Sequence, residues 1–330
     1  MKIKLSMLFF ILNIFSFSTH AAVIKIASLT PDGTSIMKEM RITAKEISKR
    51  TDGRIKIKFY PGGVMGNEHA VLRKMRINQL QGAIVTSGSL SRAYKDTSIY
   101  AMPFLFNSHE EVQYVRQKMD KLIIKGLEKG GLISYGIVES GFAYILSNLP
   151  VKNATELREQ KFWIPDNASA RNAVKAFKIQ PIPLPFGDVL AGLQTRLVNA
   201  IAISPIAAIA LQWHTQVKYL TDMPLLYGWG TLVINKRAMK KIKMSDQKII
   251  HELMTKSFKK VDKQNQKDNV SALAALKSQG IKFIQPNVQQ IIKWKELALE
   301  GNLKLVKKGF NSQKMYNLLN KHLSDFKKKK

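Results

Sequence analysis

The chain has 330 residues, no cysteine, and 53 Lys and Arg against 23 Asp and Glu, for a formal charge of +30. That length suits about two domains of roughly 150 residues each. Its 45% hydrophobic and 8% aromatic content excludes a disordered basic chain, which would be far poorer in apolar side chains. Without cysteine the sequence offers no thiol nucleophile, disulfide, thiolate metal site or lipid anchor on an N-terminal cysteine.

Residues 1–21 have the pattern of a cleaved export signal. Lys2 and Lys4 precede an apolar run over 5–17, and Ser18, Thr19, His20, Ala21 and Ala22 follow as a mostly small-residue cleavage region. The run falls short of the about 20 residues a bilayer span needs. The next most apolar stretch, 200–213, is interrupted by Pro205. The expected compartment is the periplasm, and export weighs against nucleic acid as the partner of the positive charge.

Residues 23–27 and 55–60 read as strands, the second by the alternation of Ile55, Ile57 and Phe59 with lysines. Between them Ile36, Met37, Met40, Ala44 and Ile47 recur at helical spacing up to Asp52-Gly53. A turn at Pro61-Gly62-Gly63 leads to a helix through Glu68, Leu72, Met75 and Ile77, then to a strand over 82–86 that breaks at Ser87-Gly88-Ser89. Ser108 caps a helix to about Gly126, presenting Val112, Val115, Met119, Leu122 and Ile123, and a strand over 133–138 follows. After Pro150 a second series begins: strand 161–164, helix 168–177, strand 179–184, helix 188–195 and strand 198–203. Pro181, Pro183 and Pro185 hold the approach to Phe186 extended. Residues 245–279 contain neither Pro nor Gly, so as one helix they reach ~50 Å at 1.5 Å per residue. A helix that long must cross from one lobe to the other, with further C-terminal helices after Ile281. Strand–helix alternation implies α/β lobes with mostly parallel sheets.

Chemistry is hard to find. The six histidines, at 20, 69, 109, 214, 251 and 322, never fall three or four apart, so no zinc site is expected. Nucleophile-elbow, P-loop and Rossmann signatures are missing from the sequence. The carboxylate pairs Glu110-Glu111 and Glu156/Glu159 read as solvated helix surface. No enzyme activity and no cofactor are expected; what remains is a cleft at the strand ends of two lobes, lined by aromatics.

Several ordered motifs carry a family resemblance. Thr51-Asp52-Gly53-Arg54-Ile55 leads to Phe59-Tyr60-Pro61-Gly62-Gly63-Val64-Met65-Gly66-Asn67-Glu68, then Met102-Pro103-Phe104-Leu105-Phe106. Residues 157–165 and Pro181-Ile182-Pro183-Leu184-Pro185-Phe186-Gly187-Asp188-Val189, running into Leu193-Gln194-Thr195, complete the set. In this order they resemble the solute-binding subunit of TRAP (tripartite ATP-independent periplasmic) transporters, the dicarboxylate-binding-protein-like family. The resemblance implies a two-lobed periplasmic binding protein, each lobe a mostly parallel sheet flanked by helices, joined by crossing strands and a long spanning helix. Lobe I would comprise 22–145 plus about 231–278, and lobe II 146–230 plus about 279–330. It also implies a monomer that closes on a small organic solute, expected to be an organic acid, and delivers it to the membrane permease subunits.

One departure bears on the ligand. Where the family usually carries an arginine that clamps a ligand carboxylate, this chain has Trp163, whose indole offers a single N–H. Asn199 stands at the family's usual acidic position, and Ser204 is the polar residue left in an apolar stretch. The candidate ligand residues are Trp163, Phe186, Ser204 and Trp213 from lobe II, with Glu68, Thr86, Ser87 and Phe142 from lobe I. Each has a plainer reading: core packing for Phe186, Phe142 and Trp213, and a helix N-terminal carboxylate for Glu68. Arg92 and Arg171 are the possible substitute anion partners, though surface arginine is the default for both. The expected cleft is more aromatic and less anion-selective than a C4-dicarboxylate binder. A competing reading of the charge is a basic exported protein that binds anionic membrane, lipopolysaccharide or polyanions.

Overall fold

A computed structural model describes residues 21–329; the expected export signal, apart from Ala21, lies outside the described residues. In chain order β1 (Ala22–Ser28), α1 (Ser35–Arg50), β2 (Ile55–Tyr60), α2 (Glu68–Arg76) and β3 (Gly82–Thr86) form a βαβαβ run. Two 3-10 segments, Ser87–Arg92 and Lys95–Ala101, lead to α3 (His109–Lys129), β4 (Leu132–Ser134) and β5 (Val138–Ser147). The second series holds α4 (Ala154–Arg158), β6 (Trp163–Pro165), α5 (Ala168–Lys175), β7 (Ile182–Leu184), α6 (Val189–Gln194), β8 (Ala200–Ile203), α7 (Pro205–Ala210) and β9 (Tyr219–Thr221). Then come β10 (Leu226–Asn235), α8 (Lys236–Met239) and the 35-residue α9 (Met244–Ser278). The chain ends in β11 (Lys282–Ile284), α10 (Val288–Lys307) and α11 (Gln313–Lys327).

Local chemistry explains the boundaries near the site. Asn67 caps α2, its side-chain oxygen accepting the Ala70 N–H at 2.9 Å, and Ser108 caps α3 by accepting the Glu111 N–H. Glu111 corrects the expectation of a solvated carboxylate: it is buried and accepts the Asn107 N–H at 2.7 Å, closing the same helix start. The residues at helical spacing in α1 (Met37, Met40, Ala44, Ile47) bury against the sheet residues Ile24, Ile26, Ile55 and Phe59. Each large side chain fully buried in this way contributes roughly 1.5–3 kcal/mol.

The sheet is continuous through both lobes, in the order β11-β9-β5-β10-β3-β1-β2, with β4 beside β10 and β8 beside β5. In lobe I β2, β1 and β3 are parallel. In lobe II β9 and β11 are parallel, as are β6 and β7 in a separate pair. The two ten-residue strands β5 and β10 run antiparallel to each other and pass from one lobe to the other. They make the sheet mixed, because a strand returning from the opposite lobe must oppose the strand beside it. Sequence patterning does not place β10 and reads only the end of 133–138 into β5. The chain breaks there after Ser134, where Phe258 packs 2.8 Å from the position a Cβ on Gly136 would take.

Helix α9 spans both lobes. Its Ile250, Met254, Phe258 and Val261 belong to the lobe I core, and Leu276 packs with Leu220, Ile201 and Trp213 in lobe II. The motif residue Arg54 donates to Asp246 in the first turn of α9, at 2.9 Å, fixing that end on lobe I. At the crossing, β5 carries an extra residue opposite β10: Gly228 faces Gly141, yet Trp229 faces Glu139. Gly141 has φ +92°, a conformation that favours glycine. Asn265 and Asn269 of α9 donate to the Glu139 and Ser140 carbonyls there. The C-terminal region divides differently from the expected 279–330 assignment. Trp294 of α10 lies in the lobe II core, but Tyr316, Leu319 and Leu323 of α11 pack with Val112, Val115 and Met119 of α3. The Ser312 N–H and hydroxyl, both donating to Asp96, anchor α11 there.

Candidate functional site

Between the lobes lies a cavity of about 370 Å³. Lobe I contributes the end of β3 and the start of α2; lobe II contributes β6, α5, the segment around Phe186, and the end of β8 with α7. Of the expected site residues, Trp163, Phe186, Ser204, Glu68, Thr86 and Ser87 lie together on its wall.

Glu68 joins two elements of lobe I. One carboxylate oxygen accepts the Thr86 N–H at 2.6 Å and the other accepts the Thr86 hydroxyl at 2.7 Å, tying the start of α2 to the end of β3. Burial pushes its pKa up, and these two donors offset part of that. Both plain and functional roles therefore fit one residue, since a carboxylate has lone pairs beyond those two.

On the opposite side an aromatic corner forms. The Trp163 ring stands edge-on to Phe186 at 5.4 Å and to Trp213 at 5.1 Å between centroids. The Trp163 indole N–H donates to the Leu184 carbonyl at 3.1 Å, so Trp163 presents an apolar ring to the cavity rather than a donor. Phe186, half-buried, is the more open of the three rings. Trp213 sits behind Trp163 in the lobe II core and does not reach the cavity wall. Phe142 likewise lies off it, packed edge-on against Tyr227 at 5.6 Å on the α3 side of the sheet. Strand alternation is the reason: Gly141 and Ala143 are on the wall and the Phe142 ring between them turns away, while Ser140, the extra residue of the bulge, falls outside that alternation. Arg92 and Arg171 are exposed and off the wall, and Arg171 is paired with Asp166.

The floor brings in residues that sequence reasoning missed. Glu139 and Trp229 lie side by side on β5 and β10 and belong to the wall. The Glu139 carboxylate accepts the Tyr227 hydroxyl at 3.0 Å, with His109 at 3.4 Å and Arg116 at 3.9 Å. Burial raises its pKa to about 7, with the Tyr227 hydroxyl, Arg116 and the nearby Gln266 amide opposing the rise. Arg116 is buried and held by Asp120, Asp262, Tyr227 and the Ile137 carbonyl. Ser204 Oγ, Trp229 Nε1 and Glu139 Oε1, all on residues of the wall, have no hydrogen-bond partner. Buried polar atoms in proteins are almost always satisfied, so a cluster of unpartnered ones along one cavity marks a place for a ligand's polar groups. The Gly-Trp-Gly run 228–230 was the available sequence signal, glycines bracketing a large ring inside an apolar stretch.

Across the mouth the lobes touch. His69 of α2 lies with Nε2 2.7 Å from the Asp166 carbonyl oxygen, just ahead of α5. Beside it Gly88 leaves room for Asn167, whose amide oxygen stands 3.1 Å from where a Cβ would sit.

Two α/β lobes, crossing strands, a spanning helix and an interlobe cleft define a two-lobed binding protein. Residues 26–308 match the family of bacterial extracellular solute-binding proteins, family 7, and the chain belongs to that family. Among its relatives, the 2,3-diketo-L-gulonate-binding periplasmic protein YiaO of Escherichia coli is 27% identical over 62% of this chain and 64% of its own. The sialic acid-binding periplasmic protein SiaP of Vibrio cholerae is 19% identical over 82% and 84%. Among solved structures, the sugar acid binding protein DctPAm of Advenella mimigardefordensis, in complex with galactonate, superposes with TM-score 0.84 at 18% identity, covering 92% of this chain and 98% of that one. A TRAP periplasmic solute-binding protein of Citrobacter koseri with bound D-glucuronate gives 0.80 at 19% identity, covering 92% and 99%. These structures share the fold. Among the described residues no helix is long and apolar enough to cross a membrane.

Proposed function

We propose that this chain is the periplasmic solute-binding subunit of a TRAP-type transporter. It captures a small organic solute in the interlobe cleft by hinge closure and hands it to the membrane permease subunits. The observation that carries the reading is the cavity of about 370 Å³ walled by both lobes, with unpartnered polar atoms on its wall. A ligand that touches both lobes favours the closed arrangement by its differential affinity for it. The family supports binding rather than catalysis, and its relatives include proteins named for the organic acids they bind.

A thermal-shift screen over organic acids, sugars, amino acids and amines tests the proposal. A matching solute at 100 times its Kd stabilises by about 2.7 kcal/mol, a clear rise in Tm. No stabilisation by any solute, together with polyanion binding that collapses with salt, would instead favour the basic surface-binding alternative.

A further inference from the structure

The ionisable side chains on the cavity wall are all of one kind, carboxyl groups. Among the described residues no Lys, Arg or His lines it, whereas Glu68 and Glu139 do. The guanidinium near Glu139, that of Arg116, is already shared with Asp120 and Asp262 at 3.0 Å each. One positive charge there faces three carboxyl groups: Asp120, Asp262 and Glu139. A ligand carboxylate enclosed in this cleft would lose its water, meet two carboxyl groups and find no cation. The protein's large positive charge does not alter this, because exposed surface lysines are screened within about 8–10 Å.

We infer that the cleft takes an organic cation: a small ammonium on an apolar, aromatic-sized body, carrying a neutral oxygen. This rests on the solute-binding reading above and names the class of solute. Glu68 receives the ammonium through the lone pairs that Thr86 and the Ser89 hydroxyl leave free. The body lies against Phe186 and the Trp163 ring, where aromatic faces also favour a nearby cation. The neutral oxygen accepts from Trp229 Nε1 or pairs with Ser204 Oγ, both lacking partners and on residues more than nine-tenths buried. Trp163, its N–H engaged by the Leu184 carbonyl, offers that body an apolar ring and no donor for an anion.

The test uses three probes with one phenyl-bearing body: 2-amino-1-phenylethanol, 1-phenylethane-1,2-diol and mandelate, compared by calorimetry and melting beside D-glucuronate and galactonate. The ammonium should bind at least about tenfold more tightly than the diol or mandelate, one decade of affinity. Glu68→Gln should erase that margin, and Phe186→Ala should weaken the ammonium and the diol together while keeping their order. Equal or tighter binding of mandelate or the sugar acids overturns the cation assignment and leaves a solute-binding protein. A diol that matches the ammonium, or a Glu68→Gln protein that keeps the preference, overturns it as well. If no solute of any class binds, the solute-binding reading itself falls.

Discussion

At residue 163 one indole has two surfaces with different duties. Its N–H is engaged by the Leu184 carbonyl and its edges pack on Phe186 and Trp213, while a remaining part of the ring faces the cavity. Substituting such a residue therefore disturbs core and wall together. Glu139 is the residue whose chemistry depends most on conditions. Burial lifts its folded-state pKa to about 7, against about 4.3 in an unfolded chain. Between those values the folded protein keeps the proton and the unfolded chain has lost it, so stability falls as pH rises through that window, by at most about 1.4 kcal/mol per pH unit. Arg116, Asp262, His109, Tyr227 and Gln266 surround it and move the midpoint, and Asp120 acts only through its pairing with Arg116. Melting temperatures from pH 4.5 to 7.5 should show a downward contribution that Glu139→Gln removes. Parallel profiles for parent and variant would contradict it.

Among the elements, the bulged crossing of β5 over β10 is the most constrained. A methyl on Gly141 would meet the Asn269 amide nitrogen at 2.5 Å, and φ there is +92°. Gly141→Ala should lose about 1–2 kcal/mol from the backbone conformation and about 1 kcal/mol more if Asn269 releases the Ser140 carbonyl. Urea unfolding reads this directly, and a loss under about 0.5 kcal/mol would mean that the bulge relaxes freely. The legibility of the sequence divides along the same lines. Helix α9 was visible within one residue because 35 positions without Pro or Gly admit little else, and β2 and β3 were visible because their patterns and bounding turns agree. Strand β10 was not, since three aromatic or glycine positions in succession, 228–230, have no period of their own. The lobe I part of the cleft wall around Glu68 came with the family motif. Glu139 and Trp229 stayed hidden because only strand pairing, across ninety residues of sequence, sets them side by side.

For the whole molecule, the contact of His69 with the Asp166 carbonyl joins the lobes at the mouth without touching either core. His69→Ala should therefore leave the midpoint of unfolding nearly unchanged while weakening solute binding about fivefold, the worth of roughly one net hydrogen bond. Small-angle scattering should show a larger radius of gyration for the unliganded variant; an unchanged radius and affinity would mean that the contact does not bias the lobes. The apolar wall has a consequence for what drives the lobes together. Water in a cleft lined by Phe186, Trp163, Ile203 and Leu226 has few partners, so its release favours closure on almost any well-shaped apolar body. Tightness and choice are then separate properties of this protein. The wall sets how strongly a body is held, and a handful of polar atoms decide which bodies are admitted.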